Sequence, residues 1–422
     1  MQSIIKKSIF LFILFGINVL SAQEPQELEE GQEYQEVQYT LKNQANFKLG
    51  EGLNFSFNEG AYQFNLGGFI QPAVNYEKIE DMDAEYEFNS KRTYLIVGGK
   101  AVKEKVSFLI QTDFSLSQSL LDAWIAYHPF QWLTITGGQK QTFLNNREML
   151  YREDKLQFTD RSYLSRLYSN TGREFGLFVE GKFGSKIGIA PSFAVTSGDG
   201  RNSFGQDSRD ADLGGLKIGA RLDVYPLGYF SEGNNEYTAD IIHEESLKIL
   251  VGAAVSENNG ASGSNGEDHG AFLFYDGNGQ NLLPDYSQFF ADVLLKYKGF
   301  SFLGEYASSG ASDLGVPFLD IDATELLAPQ QISEYLVLGD SYCFQLGYVT
   351  KSGFSFDLRY EGMEPEFKDN EASLLPEASS YTFGFTKYFL GHNLKMQAAV
   401  GSIDLDQGAN QTVAEFLVQI VF

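Results

Sequence analysis

The stretch that decides the fold is QTVAEFLVQIVF, residues 411–422. The positions reached by counting back in twos are all apolar: Phe422, Ile420, Val418, Phe416 and Ala414. The positions between them are mixed and include Gln419 and Glu415. A period of two places these rows on opposite faces of a β-strand. The pattern predicts a strand of an outer-membrane barrel, with one face in lipid and one in water. A terminal strand of a soluble β-sandwich is the alternative.

The first 22 residues predict a secretory signal peptide. Lys6 and Lys7 precede an apolar stretch from Ile9 to Leu20, and Ala22 offers a small residue at the cleavage point. The apolar run is shorter than the roughly twenty residues that a membrane-spanning helix needs. An uncleaved anchor helix is the alternative interpretation. Either way, the chain is expected to leave the cytoplasm.

Composition favours a barrel and argues against several other classes. The chain has 36 Phe, 23 Tyr and 43 Gly, yet its mean hydropathy is −0.22, as expected when lipid-facing and wet residues alternate. Its net charge of −25 argues against binding nucleic acid. Cys343 is the single cysteine, so no intrachain disulfide forms. The four histidines lack metal-ligand spacing or a serine motif, so we expect no metal, no cofactor and no enzymatic activity.

Hydrophobic periodicity divides the mature chain into two parts. Residues 23–60 are acidic and rich in Gln, and are expected to form a flexible periplasmic segment. Residues 61–422 repeat a rhythm of strand, tight turn, strand and long polar loop. We predict sixteen strands, at 61–76, 88–102, 105–114, 119–128, 131–140, 173–183, 186–197, 212–225, 246–256, 287–298, 299–308, 340–350, 353–361, 379–389, 392–402 and 411–422. The expected fold is an all-β, 16-stranded antiparallel transmembrane barrel.

Connection lengths alternate along this part of the chain. Two-residue turns such as Lys103-Glu104 and Lys351-Ser352 alternate with long connections such as 141–172 and 257–286. Short periplasmic turns and long extracellular loops are typical of outer-membrane barrels. The alternation therefore predicts which end of the barrel faces the periplasm.

Four stretches in order resemble the phosphate-selective porin O and P family. They are EFNSKRTYLIVGGK (87–100), FLIQTDFS (108–115), LLDAWIAYHPFQWLTITGGQKQTF (120–143) and FTDRSYLSRLYSNTGREFGLFVEGKF (158–183). The span from 87 to 183 over which they are spread is about a quarter of the chain. The resemblance implies a trimeric, sixteen-stranded channel in outer-membrane lipid for passive diffusion of small solutes or ions, with phosphate among them. It also implies a long loop folded inward as a constriction, for which residues 141–172 occupy the matching place.

The basic residues of this region are candidates to face the pore, because a guanidinium group can bind two phosphate oxygens at once. The loop supplies Arg147, Arg152, Lys155, Arg161 and Arg166. The family-like motifs supply Lys91, Arg92 and Arg173, and the predicted inward faces of strands supply Lys217, Arg221 and Arg359. The alternative for each of them is an ordinary solvated charge.

The predicted inward faces also carry more acids than bases. The acids are Asp113, Asp122, Glu174, Glu180, Asp223, Asp292, Glu305, Asp357, Glu361 and Glu415, and the bases are Lys182, Lys217, Arg221, Lys296 and Arg359. Opposing charges of this kind predict a wet constriction without a strong net sign. A general porin is therefore favoured over a phosphate-specific one. A non-conducting barrel acting as a surface adhesin or scaffold is the alternative function.

Overall fold

A computed structural model describes residues 43–202, 214–267, 270–312 and 314–422. The predicted signal peptide and most of the acidic N-terminal segment lie outside the described residues. Within these ranges, no helix is long and apolar enough to cross a membrane.

Nearly all regular structure is β-strand. Two short hairpins lie outside the sixteen-strand ring: β1 (Gln44–Lys48) with β2 (Gly52–Phe57), which joins the same sheet through the first strand of the ring, and β12 (Phe274–Tyr275) with β13 (Asn281–Leu282), which forms a separate sheet. The remaining strands are β3 (Tyr62–Ile79), β4 (Glu85–Ala101), β5 (Val106–Asp113), β6 (Leu120–Phe130), β7 (Leu133–Gln141), β8 (Arg173–Gly181), β9 (Gly188–Thr196), β10 (Lys217–Tyr225), β11 (Lys248–Asn258), β14 (Asp285–Tyr297), β15 (Phe300–Ser312), β16 (Gly339–Val349), β17 (Phe354–Pro365), β18 (Ala378–Tyr388), β19 (Leu394–Leu405) and β20 (Gln411–Val421). The helices are α1 (Tyr163–Tyr168) and α2 (Pro329–Ile332), with single 3₁₀ turns at Glu148–Leu150 and Glu153–Lys155.

These sixteen strands close into one antiparallel barrel. Each pairs with the next along the chain, and β20 returns to pair with β3, from Gln411 opposite Ile79 to Val421 opposite Phe69. Closure leaves no free edge, which is what a membrane requires of a β-structure. The predicted fold class is confirmed, and every predicted strand is present with ends shifted by a few residues.

The two faces of the wall follow the predicted alternation. On β20, Phe416 and Ile420 are exposed to the outside, whereas Gln419 points inward and is fully buried. On β17, Phe356 and Leu358 are exposed, and the alternate residues Asp357 and Arg359 are buried in the lumen. The outer face is therefore apolar and the lumen is polar.

Part of the segment expected to be flexible is ordered instead. Strands β1 and β2 form a hairpin, and β2 pairs with the first residues of β3. The physical reason is visible in GLNFSF, where Leu53, Phe55 and Phe57 alternate with Asn54 and Ser56. An apolar row of this kind continues the outer face of the barrel.

Candidate functional site: the barrel lumen

The long connection between β7 and β8, here called the inward loop (residues 142–172), lies inside the barrel. Its helix α1 starts at Ser162, whose hydroxyl oxygen accepts from the Ser165 backbone N–H at 3.1 Å. Leu164 and Tyr168, four residues apart on one helix face, pack against the inner wall beside Phe290. Tyr168 and Phe290 meet edge to face at 6.1 Å. Apolar packing thus seats the helix, and charged contacts hold the rest of the loop.

Arg147 joins the loop to one side of the wall. Its Nε donates to Asp292 at 2.9 Å and an Nη donates to Asp223 at 2.5 Å. Arg221 contacts the same two carboxylates and donates to the Asn145 carbonyl at 2.8 Å. Two guanidinium groups and two carboxylates therefore form a buried network that is neutral as a unit.

Glu153 sits between two other predicted arginines. It accepts from Arg161 at 3.0 Å and from Arg173 at 2.7 Å, and Arg173 also lies 3.5 Å from Asp122. Arg161 donates in addition to the Glu148 and Tyr151 carbonyls, at 2.7 and 2.8 Å. The contacts of Arg161 thus lie within the loop, whereas the ion pair between Glu153 and Arg173 joins the loop to β8.

Glu148 connects the loop to the opposite wall. One carboxylate oxygen accepts from Arg359 at 2.6 Å and Gln345 at 3.1 Å, and the other accepts from the Ser162 N–H at 2.7 Å. Burial would raise the pKa of this carboxyl, but Arg359 and the Ser162 N–H outweigh burial and lower it.

Asp160 of the inward loop lies within 4.0 Å of three further predicted bases. Lys91 lies 3.1 Å away, Arg92 3.0 Å and Arg166 3.8 Å. Lys91 also reaches Glu415 at 2.7 Å. Of these bases, Arg166 has the most exposed side chain, at 44%, and its guanidinium stacks over Tyr163 at 4.3 Å.

The last three predicted bases are paired in the same way. Lys217 is buried against Glu174 at 2.9 Å, while Arg152 and Lys155 lie 2.5 and 3.6 Å from Asp154. All eleven predicted bases therefore face the lumen or its loop, and each has a carboxylate within 4.0 Å. The structure brings them together as ion pairs rather than as a row of free cations.

The acids of the loop complete the site, although they were not among the predicted site residues. The inward loop has five bases and four acids, namely Glu148, Glu153, Asp154 and Asp160. Most bases stand next to an acid in the sequence, as in Arg147-Glu148 and Asp160-Arg161. That adjacency was the signal that the loop carries its own counter-charges.

A second segment enters the lumen from the opposite end. Residues 226–247 between β10 and β11, here called the turn segment, bury Phe230, Tyr237 and Ala239. The Lys296 ammonium donates to the Asn234 and Tyr237 carbonyls at 2.5 and 2.7 Å and lies over the Phe230 and Tyr237 rings, 5.0 and 4.8 Å from their centroids. The predicted strands at 212–225 and 246–256 imply only an ordinary long turn here. Its cluster of Tyr229, Phe230 and Tyr237 in a connection expected to be wet was the available signal.

The two segments meet inside the barrel. The Thr238 hydroxyl donates to the Gln157 side-chain carbonyl at 2.8 Å, and the amide nitrogen of Gln157 donates to Asp357 at 2.6 Å. The contact joins the inward loop, the turn segment and β17. The lumen is thus narrowed from both ends.

Two cavities remain beside these segments. The loop-side cavity, of about 190 Å³, has seven charged lining residues: Glu77, Lys91, Asp160, Arg161, Arg166, Arg359 and Glu415. The wall cavity, of about 470 Å³, runs along β7 and is lined by Lys140, Glu180, Lys182, Arg221 and Asp223. Each cavity has one more base than acid. Among the described residues, no group of three or more His, Cys, Asp or Glu side chains could hold a metal ion.

Comparison with known proteins supports the fold. No protein-family model matches the chain, and no curated protein matches it in sequence. The outer membrane channel DcaP of Acinetobacter baumannii matches with a TM-score of 0.53 at 12% identity, over 86% of this chain and 98% of that chain. OprB of Pseudomonas putida matches with a TM-score of 0.53 at 10% identity, over 86% and 94%. At these identities the likeness is one of fold. The chain is an outer-membrane β-barrel with the architecture of these proteins, and its membership of the phosphate-selective family stays a prediction.

Proposed function

We propose that the protein is an outer-membrane porin for passive diffusion of small hydrophilic solutes or ions. The observation that carries this proposal is a lumen lined by paired charges, with cavities of about 190 and 470 Å³ left beside the inward loop. Charged linings of this kind replace part of the hydration shell of a passing solute. Passive diffusion needs no catalytic residue or cofactor.

The charge pairing supports weak anion preference rather than a dedicated phosphate site. Strong phosphate binding needs guanidinium donors that are free to form a bidentate contact. Ten of the eleven predicted bases are committed to carboxylates within 3.6 Å, and only Arg166 has a longer ion pair, at 3.8 Å. One excess base in each cavity favours anions slightly. Phosphate is therefore one anion among those expected to pass.

Assembly as a homotrimer in outer-membrane lipid belongs to the same proposal. It rests on the resemblance of residues 87–183 to a family of trimeric porins. The exposed apolar outer face, with residues such as Ile125 and Leu222, suits contact with lipid or with a second barrel.

A second candidate function is a non-conducting barrel that serves as a surface adhesin or scaffold. The observation in its favour is the contact between Gln157 and Thr238, which joins the inward loop to the turn segment inside the lumen. On this interpretation the long loops at 259–284 and 313–338 would bind partners, and the interior segments would only stabilise the wall.

Recording from the purified protein in planar bilayers separates the two functions. The porin proposal predicts small stepwise conductances and, in a salt gradient, a reversal potential slightly on the anion side. Silence from protein shown to be folded and inserted, by its heat-dependent mobility on gels, would contradict the porin and favour the scaffold. A large saturable block by phosphate would contradict the weak-selectivity part alone.

A further inference from the structure

The hairpin of β1 and β2 extends the barrel wall at its short-turn mouth. Pairing between β20 and β3 ends at Val421 opposite Phe69, and β2 then continues beside β3 from Leu53 opposite Leu66 to Phe57 opposite Tyr62. Strand β1 pairs with β2 on its other side. The hairpin therefore takes the place of β20 and adds a flap of wall below the membrane-spanning strands.

The two faces of this flap differ in the same way as the wall. The outer face is aromatic, with Phe55 and Phe64 at 6.3 Å and Phe64 and Phe108 at 6.2 Å between ring centroids. The inner face places Asn54 and Ser56 of β2 beside Asn65 and Gln63 of β3. Alternation thus sets a row of amides and hydroxyls facing the mouth of the lumen.

This inner face lines a pocket of about 540 Å³, here called the amide pocket. Three adjacent strands supply six uncharged polar side chains, and Ser107 of β5 adds a seventh: the six are Gln44, Asn46, Asn54, Ser56, Gln63 and Asn65. Across the pocket lie Leu109 and half-buried Trp124, which share the inward face with Gln111 and Asp122. The volume is within the range of roughly 300–1,000 Å³ typical of small-molecule sites.

Several of these amides have no partner of their own. The Asn65 amide donates to Asn54 at 2.9 Å, but the side chains of Gln44, Asn46 and Gln63 form no hydrogen bond within the described part of the chain. Each amide offers two donors and one acceptor. The pocket therefore presents unused donors and acceptors together.

The pocket carries little charge. Lys100 is its one charged lining residue, and that ammonium lies 3.3 Å from Glu104. An anion would find no free base, and a cation would find no carboxylate among the lining residues. The complementary ligand is neutral.

We propose that the amide pocket binds a neutral saccharide. Sugar hydroxyls both donate and accept, which matches the amide row, and the C–H face of a sugar ring packs on an aromatic ring such as Trp124. Two sources share this chemistry, a free oligosaccharide in transit and a glycan chain on the periplasmic side. The site stands on its own geometry and does not depend on whether the lumen conducts.

The chain offers a clean reporter, because it has only two tryptophans. Trp132 lies outside the pocket, stacked on Phe130 at 5.4 Å. In a Trp132→Phe variant in detergent micelles, Trp124 is the one remaining tryptophan, and excitation at a wavelength that tyrosine does not absorb reads its emission selectively. We expect this emission to change saturably on titration with maltohexaose or with chitotetraose. Saturation by the first assigns a solute, and saturation by the second assigns a glycan of the N-acetylated kind. Calorimetry measures the same binding independently of fluorescence.

Variants test the pocket itself. Asn46→Ala with Gln63→Ala, in the Trp132→Phe background, should weaken binding roughly threefold or more, as expected for lost hydrogen bonds. Gln407→Ala, an exposed amide in the turn between β19 and β20, is the matched control and should leave binding unchanged. Heat-dependent gel mobility confirms that each variant is folded.

Three results would overturn the proposal. They are the absence of saturable binding of either saccharide by both methods, unchanged affinity in the double variant, and tighter binding of inorganic phosphate or of a neutral hexapeptide than of sugar. Because binding is measured in micelles, a protein silent in bilayers can still support this site, and a conducting protein can still refute it.

Discussion

The inward loop and the turn segment occupy one lumen from opposite ends, but different forces hold them there. The loop is tied to the wall by carboxylates and guanidinium groups, through pairs such as Glu153 with Arg173 and Arg147 with Asp292. Within the described part of the chain, no ion pair joins the turn segment to the wall. It is held by buried rings and by the Lys296 ammonium against backbone carbonyls. The two segments should therefore respond differently to charge, acid and deletion.

Removing either segment should have the largest effect on conductance. Replacing residues 144–166 with a short Gly-Ser linker removes a loop that contacts several strands of the barrel wall. We therefore expect conductance to rise several-fold. Replacing residues 229–242 in the same way should raise it less, because the inward loop remains. Planar-bilayer recordings of the two variants against the wild type check this order. Conductances equal to that of the wild type in both variants would show that neither segment limits ion flow through the lumen.

The next largest effect should come from replacing one buried carboxylate, Glu153, which holds the inward loop in place. Glu153→Gln leaves Arg161 and Arg173 without their shared partner, and breaking a buried ion pair costs about 3–5 kcal/mol. We expect the inward loop to be cleaved much faster in limited proteolysis. The matched change Asp160→Asn should cost about 1 kcal/mol or less, because the Asp160 side chain is 36% exposed. Similar cleavage of both variants would contradict the ranking.

Acid should loosen the inward loop while neutral and alkaline pH should not. Burial would raise the pKa of Glu153, but Arg173 and Arg161 outweigh burial and hold it well below the ordinary value of 4.5. A carboxyl with a lowered pKa contributes stability that is full above its ordinary pKa and is lost as the pH falls through the lowered value. The contribution of Glu153 to holding the loop should thus stay constant down to about pH 4.5 and fall below it, so conductance should rise in acid.

The control for the acid effect is the Glu153→Gln variant, which should lose much of the pH response. Limited proteolysis during the same acid titration also distinguishes the two segments. Cleavage within the inward loop, which ion pairs hold, should become faster as the pH falls, whereas cleavage within the turn segment, which aromatic rings hold, should not. Loosening of the loop on raising the pH above 7 would contradict the sign.

The smallest expected effect concerns ion selectivity. Arg166→Ala removes the most exposed of the bases in the loop-side cavity, so the weak anion preference should fall to near zero with the loop still docked. Arg161→Ala should instead disturb docking, because Arg161 donates to two loop carbonyls. Reversal potentials in a salt gradient separate the two variants. A larger selectivity change from Arg161 without faster proteolysis would reverse these roles.

The wall was readable from the sequence because its period is two. Phe356 and Leu358 alternate with Asp357 and Arg359, and the lipid and the lumen enforce that alternation at every strand. The same logic reaches GLNFSF at 52–57, but a surrounding acidic composition suggested flexibility, and the hairpin was not predicted.

The interior of the barrel was harder to predict, because the two segments that fill it have no regular alternation of apolar and polar residues. The bases of the inward loop could be named, yet their pairing depends on which wall residues they reach, as when Glu148 meets Arg359 more than 200 positions away. The depth of the turn segment depends on the width of the lumen and on Lys296 from another strand. Sequence patterns show neither which wall residues the loop contacts nor how deeply the turn segment enters the lumen.

Hydrogen exchange is the measurement that tests the central claim most directly. If both segments pack inside the lumen and meet at Gln157 and Thr238, backbone amides in residues 142–172 and 226–247 should exchange nearly as slowly as those of the barrel strands, although neither segment is a strand. Exchange as fast as in the exposed turn at 80–84 would contradict the account.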